Sequence, residues 1–532
     1  MLHRLGWPER AVTVRRHATG ATLAFEAPIA RLLTATEVNE WAWLGALAPE
    51  HRGPPLLGPA HPGLAADDAE PLLRHLAQIE THPQLEALLA ASATHGAPVM
   101  VDDDAVTIGA GAWSRTWPTE DVPDATAVPW ERVRGIPTAL VTGSNGKTTT
   151  VRLLAAVCAA HGWVTAQSGT DGVRVAETTL AEGDWAGPAG ARLALRDARA
   201  EAAVLETARG GMLRRGLAVT AARAAVITNV QPDHFGEYGI DDLAALAAVK
   251  LVVAKGLAPD GVLVLNGDDP VLRGATVHHP GPIAWFSLDA EAPCIVAGRA
   301  HGDPVAWLAP DGVLRLSADG TEWLLGAVRE MPLAAGGIAR FNLSNLLAAS
   351  LGAWGMGIAP ATIAAVLTTF GAARRDNPGR LMRWQIAGAT VLLDYAHNPD
   401  GLRALLAVAE SLRGPDGRLL LLLGQAGNRD DAAIRALAHV AAMATPAVIA
   451  IKELPDFLRG RAWGEVPSLL DAALRAEGQE ATSIRRHEDE MAGARALTTM
   501  ARAGDVVVLP VHGRVARAAV IDWLDAQERS TR

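Results

Sequence analysis

The stretch that most constrains this chain is residues 138–154, TALVTGSNGKTTTVRLL. An apolar, β-prone run enters a tight glycine turn, and helix-forming residues leave it. A loop of this kind turns its backbone N–H groups inward, and the start of the following helix adds partial positive charge. The spacing predicts a strand over Thr138 to Val141 and a helix over Thr149 to Ala160, with Val151, Leu154 and Ala155 on its buried face. Gly143, Asn145 and Gly146 shape the turn. Lys147 supplies a point charge for β/γ-phosphates, and the hydroxyl of Thr148, followed by Thr149, suits Mg²⁺. The run departs from the full-length phosphate-loop spacing, because Val141 stands where the first glycine would be.

The rest of the chain decides what surrounds this loop. Short apolar runs at Ala202 to Leu205, Ala224 to Thr228 and Gly261 to Leu265 alternate with helical stretches. That alternation argues for a parallel sheet covered on both faces. Between Pro282 and Met331 the pattern changes to hairpins, with turns at Asp311-Gly312 and Asp319-Gly320. A second alternating series follows: strands at Thr390 to Leu393, Leu419 to Leu423, Ala447 to Ile451 and Asp505 to Leu509, and helices at Pro399 to Leu412 and Ala432 to Ala442. The expected fold class is therefore α/β. At roughly 100–200 residues per domain, three units are expected: an N-terminal accessory domain (1–135), a central ATP-binding phosphate-loop domain (136–376) and a Rossmann-like C-terminal domain (377–532). The first unit carries proline breaks (Pro54, Pro55, Pro59, Pro62) and a loop-like stretch from Trp117 to Pro129. Thr34 and Glu37 have capping-box spacing ahead of a helix carrying Val38 and Trp41.

Composition excludes several classes. A net charge of −10 in 532 residues lacks the basic footprint of a nucleic-acid binder. No run of about 18 apolar residues offers a membrane span, and the start MLHRLGWPER is not a signal peptide. The two cysteines, Cys158 and Cys294, match no metal spacing and read as buried thiols. A soluble, cytoplasmic protein is expected. Oligomeric state is left open.

Further motifs follow the loop in order. They are LETARGG with Glu206, TNVQPDHFGEYGI with His234, then Lys250, LNGDDP, FNLSN, PGRLM and DYAHNP. This series resembles the Mur ligase superfamily. Three strings are similar to one branch of it, the C-terminal half of the cyanophycin synthetases: SGTDG (Ser168 to Gly172), LETARGGMLRRGL, and KELPDFLRGRAWGE (Lys452 to Glu465). The resemblance spans Ile136 to the C-terminus.

The resemblance implies an ATP-dependent ligase. A carboxylate attacks the γ-phosphate of ATP, and an amine then displaces phosphate from the acyl phosphate. It implies ATP and Mg²⁺ as cofactors, with a small-molecule amino acid and a carboxylate acceptor as partners. Lys147 would contact the phosphates. Thr148 and Glu206 would hold Mg²⁺, both being oxygen donors that a hard cation prefers, and His234 would hold or orient a second metal. Lys250 aligns with a lysine that is carbamylated in several members. Asn342 and Asn345 would sit near adenine, and Arg380 and Asp394 would contact the nucleotide from the C-terminal domain, Asp394 at the ribose. Two departures are present. Phe341 replaces a frequent histidine, and Val511-His512-Gly513 stands where many members have a lysine–glycine pair, so no residue is assigned to the incoming amine.

Several of these residues also have a plainer reading. Glu206 can be a helix-cap acid, His234 a solvated loop residue, Lys250 a surface lysine and Asp268-Asp269-Pro270 a turn. Arg214-Arg215 can hold a substrate carboxylate or lie on a solvated face. The alternative functions are a cell-wall or folate-type ligase and a non-catalytic nucleotide-binding partner of a larger synthetase. The LETARGG and RGRAWGE strings speak against the first. The joint presence of Lys147, Thr148, Glu206, His234 and Lys250 speaks against the second. The residues before Ile136 are too few for an ATP-grasp domain, so polymerisation of a peptide backbone is not expected of this chain alone.

Overall fold

The structure, a computed structural model, describes residues 1–7, 12–17, 20–47, 65–232, 235 and 237–531. The four proline breaks at 54–62 and His234 lie outside these residues. Those described form two compact units. One comprises Met1–Gly135 with Phe235–Asp242, and the other holds the rest, from Ile136 onward.

The first unit contains a hairpin (Thr13–His17 with Gly20–Ala24), three helices (Leu32–Ala46, Ala66–Glu80, Pro83–His95) and a small antiparallel sheet of Val99–Val101, Ala105–Ile108 and Arg115–Pro118. Trp117 belongs to that last strand, opposite Val106, so the expected loop from Trp117 begins as paired strand. The predicted capping box does not form. Thr34 lies inside the helix, which starts at Leu32, and Glu37 is buried. The acid that serves the helix start comes from another helix. Glu80 accepts from the Leu33 and Thr34 N–H groups at 2.7 Å each, and from the Thr34 hydroxyl. A carboxylate at a helix N-terminus satisfies orphan donors and meets the helix dipole favourably.

The second unit holds two sheets. In the larger, seven parallel strands run in the order Val305–Leu308, Ile283–Ser287, Leu257–Asn266, Ala222–Ile227, Thr138–Thr142, Ala202–Glu206, Thr165–Gly169. Antiparallel strands extend both edges: Val313–Ala318 and Thr321–Ala327 on one side, Gly172–Val175 and Thr178–Glu182 on the other. The Asp319-Gly320 turn has both residues at positive φ, +50° and +72°, which matches the twist of a tight hairpin. The strand carrying the loop sits near the centre, and its five residues are all buried. Strands covered on both faces read as unbroken apolar runs rather than alternating ones. The helices Lys147–Ala160 and Arg340–Gly355 pack on this sheet and on each other through Leu153, Leu154, Leu346 and Leu347.

The smaller sheet has the order Met382–Ile386, Ala389–Asp394, Val506–Pro510, Leu419–Leu423, Val448–Lys452, Ile484–His487, parallel except for the first strand. Its helices lie on both faces. The late strand Val506–Pro510 is inserted beside Leu419–Leu423. This reversal of strand order opens a crevice at the carboxyl ends, where doubly wound sheets bind ligands. No described helix is long and apolar enough to cross a membrane. Cys158 is buried as expected, whereas Cys294 is only half-buried. Burial pushes the Cys158 thiol up to about 12, which keeps it inert at neutral pH.

Candidate functional site

The phosphate loop is built where the central strand ends. Gly143 has φ +149° and Gly146 φ +84°, the region open to glycine. Side chains at these positions would also collide. A Cβ on Gly143 would stand 1.8 Å from Thr228 Oγ1, and one on Gly146 2.2 Å from Asn345 Oδ1. The neighbouring strand end fixes the turn between them. The Ser144 N–H donates to Asn229 O, the Asn145 N–H to Asn229 Oδ1, and the Thr228 hydroxyl to Asn145 O at 2.6 Å. Thr228 and Asn229, the first two residues of TNVQPDHFGEYGI, thus splint the loop.

Lys147 curls over it, with Nζ donating to Gly143 O at 3.0 Å and Ser144 O at 3.1 Å. The Thr148 hydroxyl donates to Glu206 Oε2 at 3.0 Å. Glu206 ends its strand fully buried, and it also accepts from the Thr170 N–H and hydroxyl. A Cβ on Gly169 would lie 2.8 Å from Glu206 Oε2, so glycine there leaves room for the carboxylate. Glu206 is no helix cap, because the next helix begins after Ala208 with no side-chain cap. Thr148 and Glu206 form an oxygen donor pair that fits a hard cation. Among the described residues no group of three or more His, Cys, Asp or Glu is arranged for a metal.

The C-terminal sheet's connections reach the same place. Arg380 Nη2 donates to Thr148 Oγ1 at 3.2 Å, and its guanidinium stacks 4.3 Å over Tyr395. Asn377 donates to Thr149 Oγ1, and Asn398 to Asn145 Oδ1. Arg152, on the loop helix, donates to Asn377 Oδ1, Pro378 O and Asp171. Burial, with Arg380 and Arg517 nearby, pulls Arg152 down to about 10 against the opposing charge of Asp171. Asp394 accepts from the Leu381 and Ala396 N–H groups. Desolvation pushes its carboxyl up, while Arg380 opposes the shift.

The residues singled out by sequence thus separate into groups. Gly143, Asn145, Gly146, Lys147, Thr148, Thr149, Glu206 and Arg380 converge. Asn345 lies against Gly146 and donates to Asn342, which in turn donates to Leu333 O, so the two asparagines brace the loop from behind. Beside Leu333 and Arg380 opens a cavity of about 660 Å³, lined also by Leu381, Asn377 and Val408. Lys250 ends the helix Leu243–Lys250 and is buried, which rules out a surface lysine. Asp269 is structural, accepting from the N–H groups of Val230, Val271 and Leu272. Arg214 and Arg215 are exposed. Sequence reasoning missed Thr170, Asp171, Arg152, Asn377 and Arg517. The string SGTDG was visible, but nothing local says that its turn faces two domains.

A central phosphate loop, with a second doubly wound sheet contributing an arginine to the same threonine, defines a two-sheet phosphate-loop α/β protein. The Mur ligase middle domain matches residues 141–353, and the Mur ligase glutamate ligase domain matches 379–510. The cyanophycin synthetase of Synechocystis sp. is 34% identical over 375 residues, 70% of this chain and 42% of that protein. The UDP-N-acetylmuramoyl-L-alanyl-D-glutamate–2,6-diaminopimelate ligase of Xanthomonas oryzae pv. oryzae is 31% identical over 384 residues, 70% and 71% of the two chains. The structure of E. coli FolC with ADP aligns with TM-score 0.54 at 18% identity, over 74% of this chain and 90% of that one. That last likeness concerns the fold. This chain belongs to the Mur ligase family, whose members are ATP-dependent amide ligases. It spans about two fifths of the length of the cyanophycin synthetases it matches.

Proposed function

We propose that this chain is an ADP-forming ligase that joins the amine of an amino acid to a carboxylate on a small molecule, peptide or polymer. The observation that carries the reading is the meeting of Lys147, Thr148 and Glu206 with Arg380. Lys147 leaves its two carbonyl partners to meet the β/γ-phosphates. The acceptor carboxylate oxygen attacks the γ-phosphorus, the bond to the β-phosphate oxygen breaks, and ADP leaves. The amine nitrogen then attacks the acyl carbon, and phosphate leaves with the acceptor's oxygen. Mg²⁺ held by Thr148 and Glu206 would neutralise charge on the phosphates. Arg380 adds a fixed cation, so catalysis is largely positioning and preorganised charge. The cavity beside Leu333 offers space for the nucleoside; Asn342 would act on it through Leu333, to which it donates, with Asn345 behind it, and Asp394 through the amide of Leu381. Water must be kept from the acyl phosphate, which suits a site roofed by the second sheet.

His234 takes the role of a second-metal ligand or orienter. Lys250 would act as a carbamate, its neutral amine adding CO₂ and losing a proton; the carbamate would offer oxygen ligands to a divalent cation that an ammonium would repel. Full activity in Lys250→Ala would remove it from the mechanism. The acyl-phosphate reading is tested with an acceptor whose carboxylate carries ¹⁸O. One labelled oxygen should appear in the released phosphate. Label in AMP, or label retained wholly in the amide, would overturn it.

A further inference from the structure

The hairpin turn Thr170–Asp171 joins two strands at Gly169 and Gly172. Its two residues face different partners. Thr170 donates twice to Glu206, by N–H at 3.3 Å and by hydroxyl at 3.0 Å. Asp171 divides its carboxylate between two arginines. Oδ2 accepts from Arg152 Nη2 of the phosphate-loop helix, and Oδ1 from Arg517 Nη2 of the last helix, each at 2.5 Å. Both guanidiniums are largely withdrawn from solvent, with side-chain exposures of 14% and 10%.

Arg517 leads onward to the site. Its aliphatic stem lies against the backbone at Gly379, where an added Cβ would come 2.5 Å from Cδ. Its guanidinium sits 5.4 Å from the centre of the Tyr395 ring, the ring that Arg380 covers at 4.3 Å. Arg380 follows Gly379 directly and reaches Thr148, the partner of Glu206. A closed path therefore runs from Asp171 through Arg517, Gly379 and Arg380 to Thr148, then through Glu206 and Thr170 back to the turn. Three guanidiniums (Arg152, Arg380, Arg517) crowd one ring and one carboxylate. Asp171 is the carboxylate that pairs directly with Arg152 and Arg517, and without it their mutual repulsion in a poorly solvated place is opposed only by more distant charges such as Glu206 and Glu490.

We propose that Asp171 is a positioning residue that sets where the C-terminal domain's Arg380 stands over the Thr148–Glu206 pair. Thr170, its neighbour in the turn, fixes the carboxylate on the other side. The turn thereby ties the seating of the second domain to the geometry of the cation-binding pair. Both Asp171 carboxylate oxygens are taken by Arg152 and Arg517, so it acts through them. The effect on rate rests on the ligase reading above, whereas the effect on domain seating does not.

The test is a double-mutant cycle of Asp171→Asn and Arg517→Gln in the full chain, read two ways. Spin labels at Glu177→Cys and Ala476→Cys, with Cys294→Ser, report the distance between the two sheets. Turnover reports kcat and the KM for ATP. Each single variant should broaden or lengthen the distance distribution and lower kcat by about ten- to a hundredfold, the range expected for a small misplacement, with a smaller change in KM. The double variant should be no worse than the more severe single. Arg514→Gln, which breaks the exposed pair with Glu182, should leave both readouts within about twofold, as surface pairs contribute little. Unchanged distances, losses that multiply, or an equal effect from Arg514→Gln would overturn the proposal. If wild type turns over no ATP with any acid and amine, the ligase reading fails while the distances still decide the role of Asp171.

Discussion

Two helix starts in this chain look alike and are used in opposite ways. Lys147–Ala160 and Arg514–Thr531 each follow the buried end of a parallel strand through a turn containing glycine. Such a turn is a ready anion cradle. At the second one the chain supplies its own anion. Glu490 accepts from the His512 N–H and the Gly513 N–H, both at 2.7 Å, and a Cβ on Gly513 would stand 2.7 Å from Glu490 Oε2. Lys452, fully buried, neutralises that carboxylate at 2.5 Å and also donates to Pro510 O. At the first, Glu206 accepts from a side-chain hydroxyl rather than from the helix's first amides. Among the described residues Lys147 is hydrogen-bonded to two carbonyls of its own loop. The comparison teaches that an anion cradle is a ligand site only where the protein has not filled it. At the turn of the second sheet the amides are satisfied by Glu490, whereas among the described residues no carboxylate is seen on the first amides of the phosphate-loop helix, which suits that loop to the proposed ligand.

The contrast can be broken at the filled cradle first. Lys452→Met leaves Glu490 buried without its cation. Removing one partner of a buried pair costs about 3–5 kcal/mol, so urea unfolding should show a loss of that size. A loss below about 1 kcal/mol would mean that Glu490 is solvated and the cradle is not closed. At the open cradle the expectation reverses. Lys147→Ala should lower ATP turnover by about 10²–10³-fold, the scale of one lost preorganised charge-stabilising donor. Its melting temperature without nucleotide should stay near wild type, because Lys147 bonds to nearby loop carbonyls. A strongly destabilised variant would make Lys147 a structural residue like Lys452.

The smallest effect is a pH dependence. His512 is buried with Nε2 3.0 Å from Ala396 O, so the carbonyl accepts from a protonated Nε2. Burial holds its pKa well below 6.5, and Lys452 pushes the same way. The unfolded chain takes up a proton that the folded chain refuses. The stability owed to neutral His512 is therefore complete above about pH 6.5 and falls as pH drops below it, by at most about 1.4 kcal/mol per unit. Between pH 7 and 5, wild type should lose more stability than His512→Gln. Equal slopes would show that the cradle tolerates an imidazolium.

Legibility followed how locally each feature is encoded. The parallel strands were readable because strands buried on both faces are continuous apolar runs, as in Leu419–Leu423, and the helix Pro399–Leu412 was readable as the stretch alternating with them; the structure adds that Asn398 caps it. The phosphate loop was readable because a glycine turn between strand and helix is a contiguous pattern. Features made by residues far apart were not. The Thr34–Glu37 spacing suggested a cap, but the helix began earlier and Glu80 took that role from 46 residues away. The Lys452–Glu490 pair, and the meeting of Asp171 with Arg517 across 346 residues, exist only once the sheets are assembled. Asn342 and Asn345 were found by resemblance, but their bracing of Gly146 is a packing fact that no local pattern carries.

The central claim is that the open cradle works on ATP by releasing ADP. Nucleotide products should be separated after incubation with Mg²⁺, ATP and a panel of carboxylates and amino acids, with Lys147→Ala for comparison. ADP and phosphate should form in equal amounts with an amide product, and about 10²–10³-fold more slowly with Lys147→Ala. AMP and pyrophosphate, or undiminished ADP from Lys147→Ala, would contradict it.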